Sequence, residues 1–167
     1  MAPSVTPNID SFQVTTPSDC EIQMTRVFNA PRRLVFEAMT KPEHVRQWWG
    51  RLGDGYSVPV CEIDFRVGGK WRFVNRRPKG EAAFHGEYRE IDPPARVVFT
   101  EIFEAFPDTV SVVTADLTEE DGKTRLVATV RYPSLQVRDL VIASGMSKGA
   151  AISYDRLEDL LATLQRA

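Results

Sequence analysis

The sequence predicts an α+β fold: a curved antiparallel sheet wrapped around a long C-terminal helix, with two short helices after the first strand. Three observations carry this. Strand-like stretches follow one another between residues 58 and 132, separated only by turn residues, and such short connections require antiparallel pairing. The last stretch of the chain, about thirty residues, repeats apolar side chains at three- and four-residue spacing. The segment from Gly68 to Pro94 studs its strands with aromatics (Trp71, Phe73, Phe84, Tyr88), and that face needs a cover only the C-terminal helix is long enough to give.

Residues 1–19 hold Pro3, Pro7 and Pro17 among Ser, Thr and Asn, the composition of an extended or loosely attached arm; a single domain is expected over 20–167. From Glu21 to Phe28 polar and apolar residues alternate, with Ile22, Met24, Val27 and Phe28 apolar and one slip among them, giving the first strand. Asn29-Ala30-Pro31 stops it, and Pro31 suits the first turn of a helix with Asn29 or Ala30 near the cap. Leu34, Val35, Ala38 and Met39 keep helical spacing. A second short helix starts at Thr40-Lys41-Pro42-Glu43, with Thr40 as candidate cap, and ends at Trp48-Trp49-Gly50.

Gly53, Asp54 and Gly55 mark a loop. Strands are then predicted over 58–65, 70–75, 82–91, 96–103, 110–118 and 124–132, separated by Val67-Gly68-Gly69, Pro78-Lys79-Gly80, Asp92-Pro93-Pro94, Ala105-Phe106-Pro107-Asp108 and Glu119-Glu120-Asp121-Gly122. In the final helix Ile142, Met146, Gly149/Ala150, Ser153, Leu157, Leu160, Leu161 and Leu164 share a face, opposite Lys148, Asp155, Arg156, Glu158 and Asp159. Ser144-Gly145 is a point of bending. Gly145, Gly149 and Ala150 thin the first half of this helix, so a gap against the sheet is expected there.

At 167 residues the chain can bury a sizeable core as one domain, and a net charge of −2 gives no global reason to attract nucleic acid or anionic membrane. The basic cluster Arg76, Arg77 and Lys79 straddles Pro78 and reads as a solvated hairpin tip. Cys20 and Cys61 make neither a disulfide framework nor a metal cluster, and with His44 and His85 the only histidines, no metal and no cofactor are expected. The first 19 residues carry no Lys or Arg and no apolar run, and no stretch of about 18 apolar residues occurs anywhere, so a cytoplasmic protein without stable membrane insertion is expected.

The stretches FNAPRRLVFEAMTKPEHVRQWWG, VGGKWRF, FHGEYREIDPPARVVFTE and SGMSKGAAISYDRLEDLL, in that order between about Ile22 and Leu164, resemble the family of activator-of-heat-shock-protein-90-ATPase-like domains. That family sits in the START-like (SRPBCC) superfamily, with lipid-transfer domains, polyketide cyclases and birch-pollen-allergen-like proteins. The resemblance implies the helix-grip fold and a cavity between sheet and helix. Where relatives commonly carry Trp after the Gly149 position this chain has Ala150, and where they carry Trp after Phe99-Thr100 it has Glu101. The separate N-terminal domain of the eukaryotic chaperone activator has no counterpart here, which lowers the expectation of a chaperone role.

Candidate ligand-binding residues follow from strand faces and the helix stripe: Trp48, Trp49, Trp71, Phe73, Phe84, Tyr88, Phe99, Glu101, Phe103, Met146, Ala150 and Tyr154. Adjacent Trp48 and Trp49 cannot share one narrow stripe, so one packs in the core while the other closes the domain edge or lines a cavity mouth. Glu101 alternates with Phe99 and Phe103. It either points inward, where a carboxylate is costly and titrates high, or turns to solvent on a bulge. His85 is expected on the opposite face from Phe84, and Arg138 with Asp139 as a capping or salt-bridge pair.

No nucleophile elbow, phosphate loop or dinucleotide fingerprint occurs, so no catalytic residue is assigned and catalysis is the less favoured reading. The leading expectation is binding of a small hydrophobic or aromatic molecule, lipids included, between sheet and C-terminal helix. A cyclase- or hydratase-type enzyme using the same cavity is one alternative. A chaperone-associated ATPase-activator-like interaction protein is another. Sheet edges also leave room for a homodimer.

Overall fold

A computed structural model describes residues 12–166. The strands are β1 (Phe12–Thr15), β2 (Glu21–Phe28), β3 (Ser57–Ile63), β4 (Lys70–Arg77), β5 (Gly80–Asp92), β6 (Arg96–Phe103), β7 (Ser111–Glu120) and β8 (Lys123–Arg131). The helices α1 (Arg32–Thr40) and α2 (Pro42–Trp48) follow β2, and α3 (Leu135–Ala143) and α4 (Met146–Arg166) follow β8. One antiparallel sheet runs in the order β1-β2-β8-β7-β6-β5-β4-β3. Among the described strands only the β2–β8 pairing joins segments far apart in sequence; hairpins make the rest. This is the helix-grip architecture.

The concave face is apolar because alternation is faithful along most strands. Val113, Ala115 and Leu117 of β7, and Leu126, Ala128 and Val130 of β8, are buried at every second position. In β2 the inward row is Ile22, Met24, Arg26 and Phe28, so the slip in the apolar pattern is a charged side chain facing in, and Val27 faces out. Arg26 is 5% exposed and its Nη1 sits 2.7 Å from Asp155 Oδ1 of α4. The guanidinium also lies over the Phe28 ring, 5.3 Å from its centroid. Asp155, assigned to the solvated stripe of α4, therefore helps fasten that helix to β2.

α4 buries Ala151, Ser153, Tyr154, Leu157, Leu160 and Leu161 against the sheet. Each buried Leu contributes roughly 1.5–3 kcal/mol through apolar area removed from water. The bend expected at Ser144-Gly145 is a full break. Gly145 has φ 82°, and α3 before it buries no residue. Ile142 is consequently 44% exposed instead of continuing the apolar stripe. Ser134 caps α3 by accepting from the Val137 amide at 3.2 Å. Arg138 pairs with Asp139 at 2.9 Å and also reaches the Ser18 carbonyl at 2.7 Å.

Three local readings are corrected. Phe12–Thr15, placed in the arm, form an edge strand on β2, and Phe12 packs against Tyr154 with ring centroids 6.1 Å apart; residues 1–11 lie outside the described residues. Thr40 does not cap α2: Lys41 holds the N-cap position, and the Thr40 hydroxyl donates back to the Phe36 carbonyl at 2.8 Å. Pro31 is itself the N-cap of α1, and the exposed Arg32 amide is met by the Glu119 carboxylate at 2.6 Å.

Candidate functional site

Between α1–α2 and the central strands lies an apolar hollow of about 100 Å³, with walls from Phe36, Met39 and Thr40 of α1, Val45 and Trp48 of α2, Trp49 at its C-cap, and strands β4 to β7. Helical spacing brings Phe36, Met39 and Thr40 onto one face of α1. Period two brings Trp71 with Phe73, and Val97 with Phe99 and Glu101, onto the concave side.

The wall is fixed locally. Trp71 and Gly86 are cross-strand partners, and the Trp71 indole passes over the glycine to donate to the Thr100 carbonyl of the next strand at 3.2 Å. A Cβ at position 86 would collide with that carbonyl and with the indole nitrogen, so the crossing depends on glycine. At the same place the Glu87 amide donates to Thr100 Oγ1 at 2.9 Å, a side chain standing in for a ladder acceptor. Trp48 Nε1 donates to the Ala38 carbonyl at 2.9 Å, locking α2 to α1. The loop beyond Trp49 is pinned by buried Asn75, whose amide reaches the Gly50 and Ser57 carbonyls at 3.0 and 3.2 Å, and by Ser153, which accepts from the Gly50 amide at 3.1 Å.

Glu101 lines this space. Its half-buried side chain has no hydrogen-bond or salt-bridge partner among the described residues, and desolvation by the apolar walls pushes its pKa up to about 7. Burial and the Glu101 charge together raise the phenols of Tyr132 and Tyr154, the latter to about 12, with Arg26 pulling Tyr154 the other way. Burial also raises the Tyr88 phenol. Nearby, burial carries the Cys61 thiol to about 11 against the pull of Arg46, which makes it an inert core group at neutral pH.

Trp48, Trp49, Trp71, Phe73, Tyr88, Phe99 and Glu101 are thus brought together around one space. Trp48 is the core tryptophan; Trp49 is half-buried, with edge-on contacts to Phe73 and Phe84. Phe84 stacks on Phe103 at 4.9 Å beyond Trp49, so both support the wall without forming it. Tyr154 is buried but packs with Phe12, Phe28 and Trp48. Met146, Ala150 and Tyr154 do not line the hollow, and the gap expected against Gly149 and Ala150 is not where the space lies. A Cβ on Gly149 would stand 3.6 Å from Leu52, whose loop occupies that place. Phe36, Met39, Thr40, Val45, Val97, Ala115 and Leu117 were missed; nothing local in the sequence separates a cavity wall from packed core.

His85 lies on the convex face, its Nδ1 3.0 Å from Glu104, and Arg72 grips the same carboxylate with two bonds of 2.9 and 3.1 Å. That arrangement, led by the Arg72 bonds, holds the Glu104 carboxyl below its usual range. Among the described residues no cluster of three or more His, Cys, Asp or Glu is placed to hold a metal ion. No described helix is long and apolar enough to cross a membrane.

The profile of the family described as Activator of Hsp90 ATPase homolog 1-like protein matches residues 29–162, a span that runs from the start of α1 into α4 and includes every wall of the hollow. The chain belongs to this family. Solved structures of similar fold agree. A protein from Rhodobacter sphaeroides is 28% identical with TM-score 0.83, covering 92% of this chain and 99% of its own. Protein Ms6760 from Mycobacterium smegmatis is 27% identical with TM-score 0.80, covering 89% and 95%. A Staphylococcus epidermidis protein is 25% identical with TM-score 0.77, covering 90% and 94%. No curated protein matches the sequence significantly. Family membership therefore secures the scaffold and leaves the activity to be argued from the site.

Proposed function

We propose that this protein binds a small apolar or aromatic molecule in the hollow between α1–α2 and the sheet. The observation that carries the reading is the space itself: aromatic and aliphatic walls border about 100 Å³ of partly open hollow beside a packed core. An apolar cavity of about 150 Å³ admits one benzene ring, so a hollow of about 100 Å³ takes at most a single ring, with some give in its walls, or a short branched chain, and disfavours a full acyl lipid. Affinity would come from apolar burial at about 25 cal/mol per Å², less ordering costs.

Calorimetric titration with toluene and benzyl alcohol, followed by crystallography of the soaked protein, tests this. Saturable binding with ring density beside Trp71 and Phe99 is the expected result. At a hundredfold excess over Kd the ligand should stabilise the fold by about 2.7 kcal/mol. Absence of binding by both probes at millimolar concentration, together with a water-filled or collapsed hollow, overturns it.

A catalytic reading has one observation in its favour: a carboxylate titrating near neutrality in an apolar pocket is suited to proton transfer. Among the described residues no second polar group is paired with it, which keeps binding ahead of cyclase or hydratase chemistry. The chaperone-activator reading draws on family membership alone, and the ATPase rate of the heat-shock chaperone with and without this protein is its test.

A further inference from the structure

We infer that the hollow selects a small aromatic amine, its ammonium set against Glu101 and its ring among Trp71, Phe99 and Tyr88; this rests on the cavity-binding reading above.

The wall is lopsided in its polar chemistry. Three of its donors are spent: Trp71 Nε1 on the Thr100 carbonyl, Trp48 Nε1 on the Ala38 carbonyl, and the Thr40 hydroxyl on the Phe36 carbonyl, while the Tyr88 hydroxyl and the Trp49 indole have no partner among the described residues. The Glu101 carboxylate is an acceptor without a donor among the described residues, so the space offers a ligand an anion. Arg26, the arginine on the concave face, is committed to Asp155, and Arg72 and Arg96 alternate with the wall residues Trp71 and Val97 and so pair on the opposite face, with Glu104 and with Asp116 and Glu90.

A carboxylic acid entering this space would meet like charge in a medium of low dielectric, and a plain hydrocarbon would leave the carboxylate unmatched. A protonated amine supplies both a charge and donors. Aromatic rings on the same wall add the attraction of their electron-rich faces for a cation. The same ring that satisfies the apolar wall therefore earns selectivity only when it carries an ammonium.

The experiment compares benzylamine, benzyl alcohol and benzoate on the full chain by calorimetry, in wild type and Glu101→Gln, with thermal unfolding confirming that both fold. Benzylamine should bind wild type at least tenfold more tightly than benzyl alcohol, with benzoate weakest. In Glu101→Gln the amine-to-alcohol ratio should fall to within about twofold. Amine affinity should also rise as pH is raised through about 7, because Glu101 ionises while the facing phenols of Tyr88, Tyr132 and Tyr154 stay neutral and Arg26 is held by Asp155. Equal affinities of wild type for amine and alcohol, or a ratio unchanged in Glu101→Gln, overturn the amine inference while the cavity reading stands. If no probe binds, this inference falls, and the cavity reading falls with it where crystallography shows the hollow water-filled or collapsed.

Discussion

At Glu101 the cost of placing a carboxylate in an apolar space can be read through pH. Its folded pKa, about 7, lies above its ordinary value of 4.5 because burial favours the protonated form. Between those values the folded chain holds a proton that the unfolded chain has released, so stability is lost as pH rises. The contribution is fully present below about pH 4.5 and gone above about pH 7, a span of roughly 3 kcal/mol at 1.36 kcal/mol per pKa unit. Glu101→Gln cannot make this exchange. Denaturant unfolding of both proteins between pH 4.5 and 8 should show wild type losing about 3 kcal/mol relative to the variant; parallel curves would refute the buried-carboxylate assignment. The sequence carried half of this. Alternation with Phe99 and Phe103 put Glu101 on the concave face, but whether a bulge intervened was not readable. The shift in β5–β6 register falls between Tyr88 and Glu90, so it leaves the Phe99–Glu101 alternation intact.

At the scale of elements, the grip of α4 on the sheet is apolar along most of its length and ionic at Arg26–Asp155. Arg26 is 5% exposed and the Asp155 side chain 27%, so this pair stands between a surface salt bridge and a buried one. Truncating one partner of a fully buried pair costs about 3–5 kcal/mol; with Asp155 partly solvated, Asp155→Ala should cost about 2 kcal/mol. Most of that is the penalty of an unmatched guanidinium, so replacing both residues by apolar ones should recover much of it. A loss under 0.5 kcal/mol in urea unfolding of Asp155→Ala would show the pair to be energetically idle. Elements bracketed by turn residues were legible: β2 and β6 have the predicted bounds, because Asn29-Ala30-Pro31 ends the one and Asp92-Pro93-Pro94 and Ala105-Phe106-Pro107-Asp108 flank the other. β1 was not, since only Phe12 of its side chains is turned toward the core, and a four-residue strand with one half-buried position has no period to read. The end of the apolar stripe was misplaced for a different reason. Ile142 keeps helical spacing with Met146, but Gly145 at positive φ redirects the chain between them.

For the whole molecule, the question is where the sheet fails to close on its helices. Alternation fixes which face a strand residue occupies and says nothing about depth along the strand, so a cavity wall and a packed core look alike in sequence. The small residues of α4 were a misleading cue, because Leu52 arrives from the loop after α2 and fills their place. The space instead opens under α1 and α2, where Ala115 of β7 stands opposite Val97 of β6. Ala115→Leu separates a true hollow from an ordinary core. Extra methylenes forced into a packed interior cost about 1–3 kcal/mol. The same methylenes placed in empty apolar space gain up to about 0.8 kcal/mol each. Ala115→Leu is therefore expected to unfold at the wild-type temperature or above it, while affinity for benzyl alcohol falls at least tenfold because the ring and the new side chain compete for one volume. A lower unfolding temperature with ring binding retained would mean that Ala115 faces packed core and that the ring sits elsewhere in the fold.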